Sequence, residues 1–249
     1  MPALVMRVRP LRRRWFLAAV AIAAPAAAAA AAAQETYVEA RTHTDEVSVM
    51  GRTVPARDGT TRTWIGEDRI AVQDEAAGNT VILRADLGRI YVVMPEARTY
   101  YESPIPFQFP PEMQQMMQVL NPQVTVTPTD ETRVVNEWTA RLTKVHVTMM
   151  GQDVAMDMWM SPDVGVPTER VRALTQAMFS ANPAFSELGA KMASIEGYPV
   201  RVESRVTVMG SSFGSWQEVQ TVETREAPPG TFEVPAGYEK TDRLPTAGG

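Results

Sequence analysis

Between Trp64 and Tyr101 the chain alternates short apolar-rich runs with tight-turn residues, and this rhythm constrains the fold more than any other feature of the sequence. The runs are Arg69–Gln73, Thr80–Arg84, Arg89–Met94 and Arg98–Tyr101, and they are punctuated by Gly78-Asn79, by Asp86 with Gly88, and by Pro95. Strands this short with turns this tight predict an antiparallel meander. Thr36–Met50 reads as a strand ahead of it, and Val54–Thr63, with Pro55, Asp58 and Gly59, as a turn-rich connection.

Pro104, Pro106, Pro110 and Pro111 then stop the strand pattern, and the spacing predicts a short helix over 111–120. Pro111 suits a first helical turn, and Met113, Met116, Met117 and Leu120 recur at i, i+3, i+4 and i+7. Strands are expected again at Gln123–Thr127, Thr132–Thr139, Leu142–Met149 and Asp153–Met160, the last two joined by a tight hairpin at Gly151-Gln152. Thr168 is a plausible N-cap for a helix over 168–179, with Glu169 in its first turn and Val171, Leu174, Met178 and Phe179 on one face. Asn182-Pro183 opens a further helix over 183–193. Strands at Val200–Met209 and Trp216–Thr224 and a polar tail at 241–249 complete the chain.

About ten strands interrupted by three short helices argue against a doubly wound α/β fold. They predict one mainly β (α+β) domain over 34–240: a wide, strongly curved antiparallel sheet with the helices covering its concave face.

The first 33 residues have another character. Arg7, Arg9, Arg12, Arg13 and Arg14 precede an uninterrupted apolar run, Trp15 to Ala33, that ends in Ala31-Ala32-Ala33. Basic, apolar, then small-residue order is the layout of a cleaved signal peptide, so residues 1–33 are expected to be removed and the protein to reside in the periplasm. The rival, a retained anchor, is disfavoured by weakly hydrophobic alanine and by Pro25. Arg13-Arg14-Trp15-Phe16-Leu17 resembles a twin-arginine signal but has Arg12 where Ser or Thr is usual, which leaves the export route open.

Composition removes several function classes. There is no cysteine, which excludes disulfides, thiolate metal sites and thiol catalysis. Without the five leading arginines, the 24 basic residues fall to 19 against 29 acidic ones, a net charge of −10. Such a surface repels nucleic acid and anionic membranes, and no basic patch offsets it. No stable membrane insertion is expected after signal cleavage.

Catalytic patterns are lacking. His43 and His146 lie in separate strands without partners at metal-ligand spacing. There is no H-x-x-x-H, no Gly-rich phosphate loop and no G-x-S-x-G. Asp45-Glu46 and Glu67-Asp68 are adjacent pairs, whose side chains on a strand would face opposite ways. The sequence therefore implies neither a cofactor nor a metal and reads as non-catalytic.

Methionine is the unusual component. Of 15, 13 lie beyond residue 33. Met156, Met158 and Met160 alternate along one strand and share a face, while Met113, Met116 and Met117 line the first helix. Methionine adapts to varied apolar partners. Three readings stay open: core filling, an adaptable apolar cavity, and a soft-metal site for an ion such as copper(I).

Four segments resemble signatures of an uncharacterised exported bacterial domain family: Gly88–Val93 followed by Arg98–Tyr101, Met158–Gly165, Glu196–Val200, and Phe232–Tyr238. That family looks related to outer-membrane lipoprotein carrier and sorting proteins of the LolA and LppX type. The resemblance implies a half-open antiparallel barrel with helices lidding a hydrophobic cavity. Where members often have a Gly-Tyr-x-Cys-like segment, this chain has Asn136-Glu137-Trp138-Thr139. No ligand-contacting residue of the carriers matches a position here.

The sequence expectation is thus a periplasmic, non-catalytic carrier for a lipid acyl chain or another apolar small molecule. The six methionines Met113, Met116, Met117, Met156, Met158 and Met160 are its candidate ligand contacts. The alternative is an envelope protein-interaction or sensor module, and the second alternative a cofactor-free hydrolase.

Overall fold

In the computed structural model the described residues are 34–49, 52–108, 123–149, 152–179, 189–208 and 211–243, all within one compact unit, Ala33–Gly249. The expected signal segment, the helix over 111–120 and most of the helix over 183–193 lie outside them.

Twelve strands form one sheet. The meander supplies β4 (Arg57–Ile65), β5 (Arg69–Asp74), β6 (Asn79–Arg84), β7 (Arg89–Met94) and β8 (Thr99–Pro104), each paired antiparallel with the next. β1 (Gln34–Thr44) joins β4 to the second half of the sheet: β13 (Ser211–Glu226), β12 (Tyr198–Val208), β11 (Gln152–Ser161), β10 (Trp138–Met149) and β9 (Gln123–Val135). The edge beyond β8 is β14 (Glu239–Thr241), whose pairing with β8 is parallel. A separate hairpin, β2 (Val47–Val49) with β3 (Arg52–Val54), is inserted between β1 and β4.

This order corrects the expected fold. The sheet runs from β14 at one edge to β9 at the other without closing, it is mixed because of β14, and it is not strongly curled. The half-open barrel with a helix-lidded concave face is not formed. Tight turns dictate which strands are neighbours and in which direction they run, but closure requires the edge strands to meet in compatible register, which turn spacing does not encode. Two local readings also change. The segment read as a connection, Val54–Thr63, is largely strand β4, paired residue for residue with β1. The segment read as one strand, Thr132–Thr139, is broken by a turn at Asn136-Glu137, where Asn136 takes φ 52° and its Nδ2 donates to the Val219 carbonyl.

The helix over 168–179 forms as expected; α1 (Thr168–Phe179) carries Glu169 in its first turn, ion-paired with Arg172, and its Val171 packs on the largest buried cluster. That cluster joins Val38, Ala40, Ile65, Trp138, Leu142, Trp159, Val200 and Val219. A second cluster, Tyr37, Trp64, Ala71, Ile82 and Val93, takes Phe232 from the carboxy-terminal segment. The third holds the methionine strand. Between the first and third, the chain turns at Gly197 with φ 87°, where a Cβ would sit 2.7 Å from the Ser161 carbonyl oxygen, so both conformation and space require glycine.

Candidate functional site

Strand period brings the candidate methionines together as expected within β11. Met158 and Met160 are buried and Met156 half-buried, packed with Val124, Val145, Ile195, Met192 and Val202. Pairing explains this: Met156 faces Val145 on β10, and Met158 faces Val202 on β12. Asp157 on the opposite face lies across from Lys144 and Glu203. Met113, Met116 and Met117 lie outside the described residues, so the structure does not place them against this strand.

The described cleft is elsewhere. It measures about 370 Å³ and is lined by Tyr37, Arg62, Trp64, Gln73, Arg225 and the turn Pro228–Thr231. Register builds it. Tyr37 on β1 faces Trp64 on β4, and Arg62 on β4 faces Gln73 on β5, so period 2 sets all four on one face. Arg225 on β13 faces Glu35, one step along from Tyr37 on the same face. Its guanidinium lies 3.7 Å from the Tyr37 ring centroid and 4.9 Å from that of Trp64, while the two rings sit 4.6 Å apart. Stacking of this kind fixes the guanidinium plane and leaves its N–H edges free to point sideways.

The rim is held by the carboxy-terminal segment. Phe232 is buried in the aromatic cluster beneath Arg69, whose guanidinium is 4.4 Å from the ring, and its carbonyl accepts from Arg84 at 3.2 Å. Buried Glu35 accepts from Arg69 Nη2 at 2.8 Å and from the Ala227 amide at 3.2 Å, tying the start of the segment to β1. Gly230 takes φ 81° in the rim turn, which the Thr231 amide closes by donating to the Pro228 carbonyl.

Charge in the cleft is one-sided. Among the described residues its ionised lining groups are Arg62 and Arg225. The carboxylates that pair with them stand outside the lining: Glu39 at 3.4 Å and Glu75 at 4.0 Å from Arg62, and Glu223 at 3.3 Å from Arg225. Tyr37 donates its hydroxyl to Glu39 at 2.6 Å, and its pKa is raised, first by burial and then by that bond.

Two other polar groupings lie on the same sheet. His43 is bracketed by Asp58, 2.8 Å from Nδ1, and Asp45, 3.3 Å from Nε2, and the Asp58 bond above all raises its pKa. Arg201 binds Glu203 and Glu218 while Arg133 also reaches Glu203 at 3.2 Å; the bond from Arg201 is the main cause of the lowered Glu203 pKa. Among the described residues no group of three or more His, Cys, Asp and Glu could hold a metal, and no helix is long and apolar enough to cross a membrane. His146 pairs with Asp153, at 3.4 Å.

Sequence reasoning missed the cleft. Tyr37, Arg62, Trp64, Gln73 and Arg225 are separated by up to 188 residues in the chain, and only the β1–β4, β4–β5 and β1–β13 registers unite them. The available signal was the alternation Arg62-x-Trp64 opposite Tyr37-x-Glu39, hidden because Val54–Thr63 reads as a loop.

The profile described as "Domain of unknown function (DUF4412)" matches residues 66–238. No curated protein matches the chain. Among solved structures, one entitled "Structure of PNGF-II in C2 space group" is similar at 12% identity and a TM-score of 0.38, covering 84% of this chain and 31% of that one. The chain thus spans under a third of that protein's length.

Proposed function

We propose, from the premise that this chain belongs to the DUF4412 family, that it is a non-catalytic interaction or sensor module of the bacterial envelope. The observation that carries this reading is the cleft at Tyr37, Trp64 and Arg225. It is a shaped recess on the face of an open sheet, lined by aromatic, guanidinium and amide groups that suit recognition, with the Thr231 hydroxyl engaged by the Pro228 carbonyl. The layout of the first 33 residues supports export to the periplasm, where a cysteine-free domain loses nothing to the oxidising environment. The methionine strand gives less support to an apolar carrier, because Met156, Met158 and Met160 are packed among valines, isoleucine and Met192.

The test is site-specific photocrosslinking in cells. A benzophenone amino acid at Thr80, paired with Gln73 and outside the cleft lining, should yield discrete adducts that the same residue at His146, on β10, does not. Equal patterns at both positions, or no adduct at Thr80, would refute the module. Native mass spectrometry of the protein taken gently from the periplasm, finding a stoichiometric lipid, would instead restore the carrier.

A further inference from the structure

We infer that the cleft is a carboxylate-binding site, with Arg225 as the principal anchor and Arg62 and Gln73 as its flanking donors. This rests on the reading of the protein as a binding module and names the chemistry that module recognises.

Four observations converge. First, a chain whose charge is −5 overall presents a recess whose ionised lining groups are both arginines. Second, Arg225 is oriented before any ligand arrives, stacked at 3.7 Å on Tyr37 and 4.9 Å on Trp64, so its planar fork loses little freedom on meeting a planar carboxylate. Third, among the described residues its one ion-pair partner is Glu223, at 3.3 Å through Nη1, and both side chains are about half exposed (46% and 49%). An ion pair so exposed is weak and can be displaced. Nε and Nη2 have no partner among the described residues. Fourth, the rest of the recess is neutral: Tyr37 and Trp64 lie buried beneath Arg225, Pro228 and Pro229 give a body of modest size something to lie against, and the Gln73 amide offers a neutral donor. A volume near 370 Å³ lies at the small end of ligand sites, enough for a compact acid or for the last residue of a peptide.

The ligand is therefore a carboxylate borne on a small flat or apolar body. A free organic acid and the carboxy-terminus of a protein partner present the same chemistry, and two probe arms distinguish them. The first arm is benzoate against benzamide, and the second is the tripeptide Ala-Ala-Phe against its carboxy-amide. Each is titrated into the purified protein and followed by the side-chain NMR signals of Arg225 Nε–H, Trp64 Nε1–H and Gln73.

At least one acid should saturate with a dissociation constant of about 1 mM or tighter, as a fragment of this size can reach, with its amide at least tenfold weaker. Whichever arm binds more tightly identifies the source. Arg225→Lys should weaken the acid about tenfold by replacing a bidentate fork with a point charge, and Arg225→Met should abolish saturation. Glu223→Gln is the variant that separates recognition from folding. It removes the competing carboxylate and should tighten binding several-fold, whereas a merely structural Glu223–Arg225 pair predicts no gain. Thermal melts accompany every variant, and Glu223→Gln remains decisive if Arg225→Met fails to fold. Amides binding as well as acids, neither acid saturating, or Glu223→Gln leaving affinity unchanged would each overturn the inference. The photocrosslinking result at Thr80 leaves every residue of the cleft lining in place and is independent of these titrations, so the module can survive the loss of its carboxylate site.

Discussion

Phe232→Ala tests whether the carboxy-terminal segment is part of the folded core or an ornament on it. Phe232 is 6% exposed and meets Tyr37, Trp64, Ala71, Ile82 and Val93, with Arg69 stacked over its ring at 4.4 Å. Removing a buried phenylalanine side chain costs about 3–5 kcal/mol through lost transfer energy and the cavity left behind. The lost arginine stacking adds about 0.5–1 kcal/mol at this partly exposed guanidinium. Against a typical stability of about 5–15 kcal/mol the variant should still fold. With a urea m-value of about 2 kcal/mol/M, the midpoint should fall by roughly 1.8–3 M at unchanged slope. The assay is urea unfolding followed by tryptophan fluorescence, for which Trp64 in the same cluster is a local reporter. A smaller cost has a distinct signature: if residues 227–238 undock alone, the loss is capped at their own docking energy. Hydrogen exchange then accelerates at the Ala227 amide, bound to Glu35, and the Glu239 amide, bound to the Arg98 carbonyl, while the amides of β1 stay protected. A midpoint shift below about 0.5 M with no change in exchange at either amide would refute the packing described for this segment.

Other perturbations have equally definite outcomes. Gly197→Ala forces a Cβ into left-handed backbone and to within 2.7 Å of the Ser161 carbonyl oxygen, so it should destabilise by about 1–3 kcal/mol in thermal or urea melts; a neutral result would contradict that turn. Met158→Asp places a carboxylate among Val124, Val145, Met160 and Ile195 and should unfold the domain or leave it severely weakened, whereas Met158→Leu keeps volume and apolarity and should cost less than about 1.5 kcal/mol by calorimetry. His43 has a raised pKa, so the stability it contributes is full below its unfolded value of about 6.5 and is lost as pH rises through the higher folded value. In an NMR titration Asp58→Asn should lower the His43 pKa more than Asp45→Asn does, because the Asp58 bond is the largest cause of the shift, and the reverse order would contradict the geometry.

The legible part of the fold was the part built by local chemistry. Arg69–Asp74, Asn79–Arg84 and Arg89–Met94 stand within a residue of where alternation and turn residues place them, because each hairpin is closed by its own short turn. The helix over 168–179 was legible for the same reason, through Thr168, Glu169 and a single apolar stripe. Errors arose where distant pairing overrode local preference. Pro55, Asp58 and Gly59 argue for a loop, but nine consecutive residues of β1 pair with Arg57–Ile65 and draw it into the sheet. Asn136 is a turn residue buried in an apolar alternation, and its turn is secured by a bond to Val219, 83 residues away. Sheet closure was beyond reach in kind, since nothing along one strand states whether two edges twelve strands apart will meet. The cleft failed for a related reason: each lining residue is unremarkable in its own strand, and the site exists only in the register between strands.

That register also explains how a wide sheet remains open and still covers its aromatics. By pairing, Arg69, Arg133, Arg201 and Arg225 all stand on the face that carries Tyr37 and Trp64, and each lies over a ring: Phe232, Trp159, Trp216, and Tyr37 with Trp64. Each is also ion-paired, with Glu35, Glu203, Glu203 and Glu218 together, and Glu223 respectively. An arginine stem can shield apolar surface while its head stays in water, so on this face the arginines themselves cover part of the aromatic area. A strongly curled sheet lined for lipid would need the opposite arrangement, with bare apolar side chains facing inward and charges turned away. The stacked arginines are thus the same feature seen twice. They cover rings on the sheet face, and at Arg225, whose pair with Glu223 is about half exposed and which lines the cleft, they present a guanidinium to something other than the protein itself.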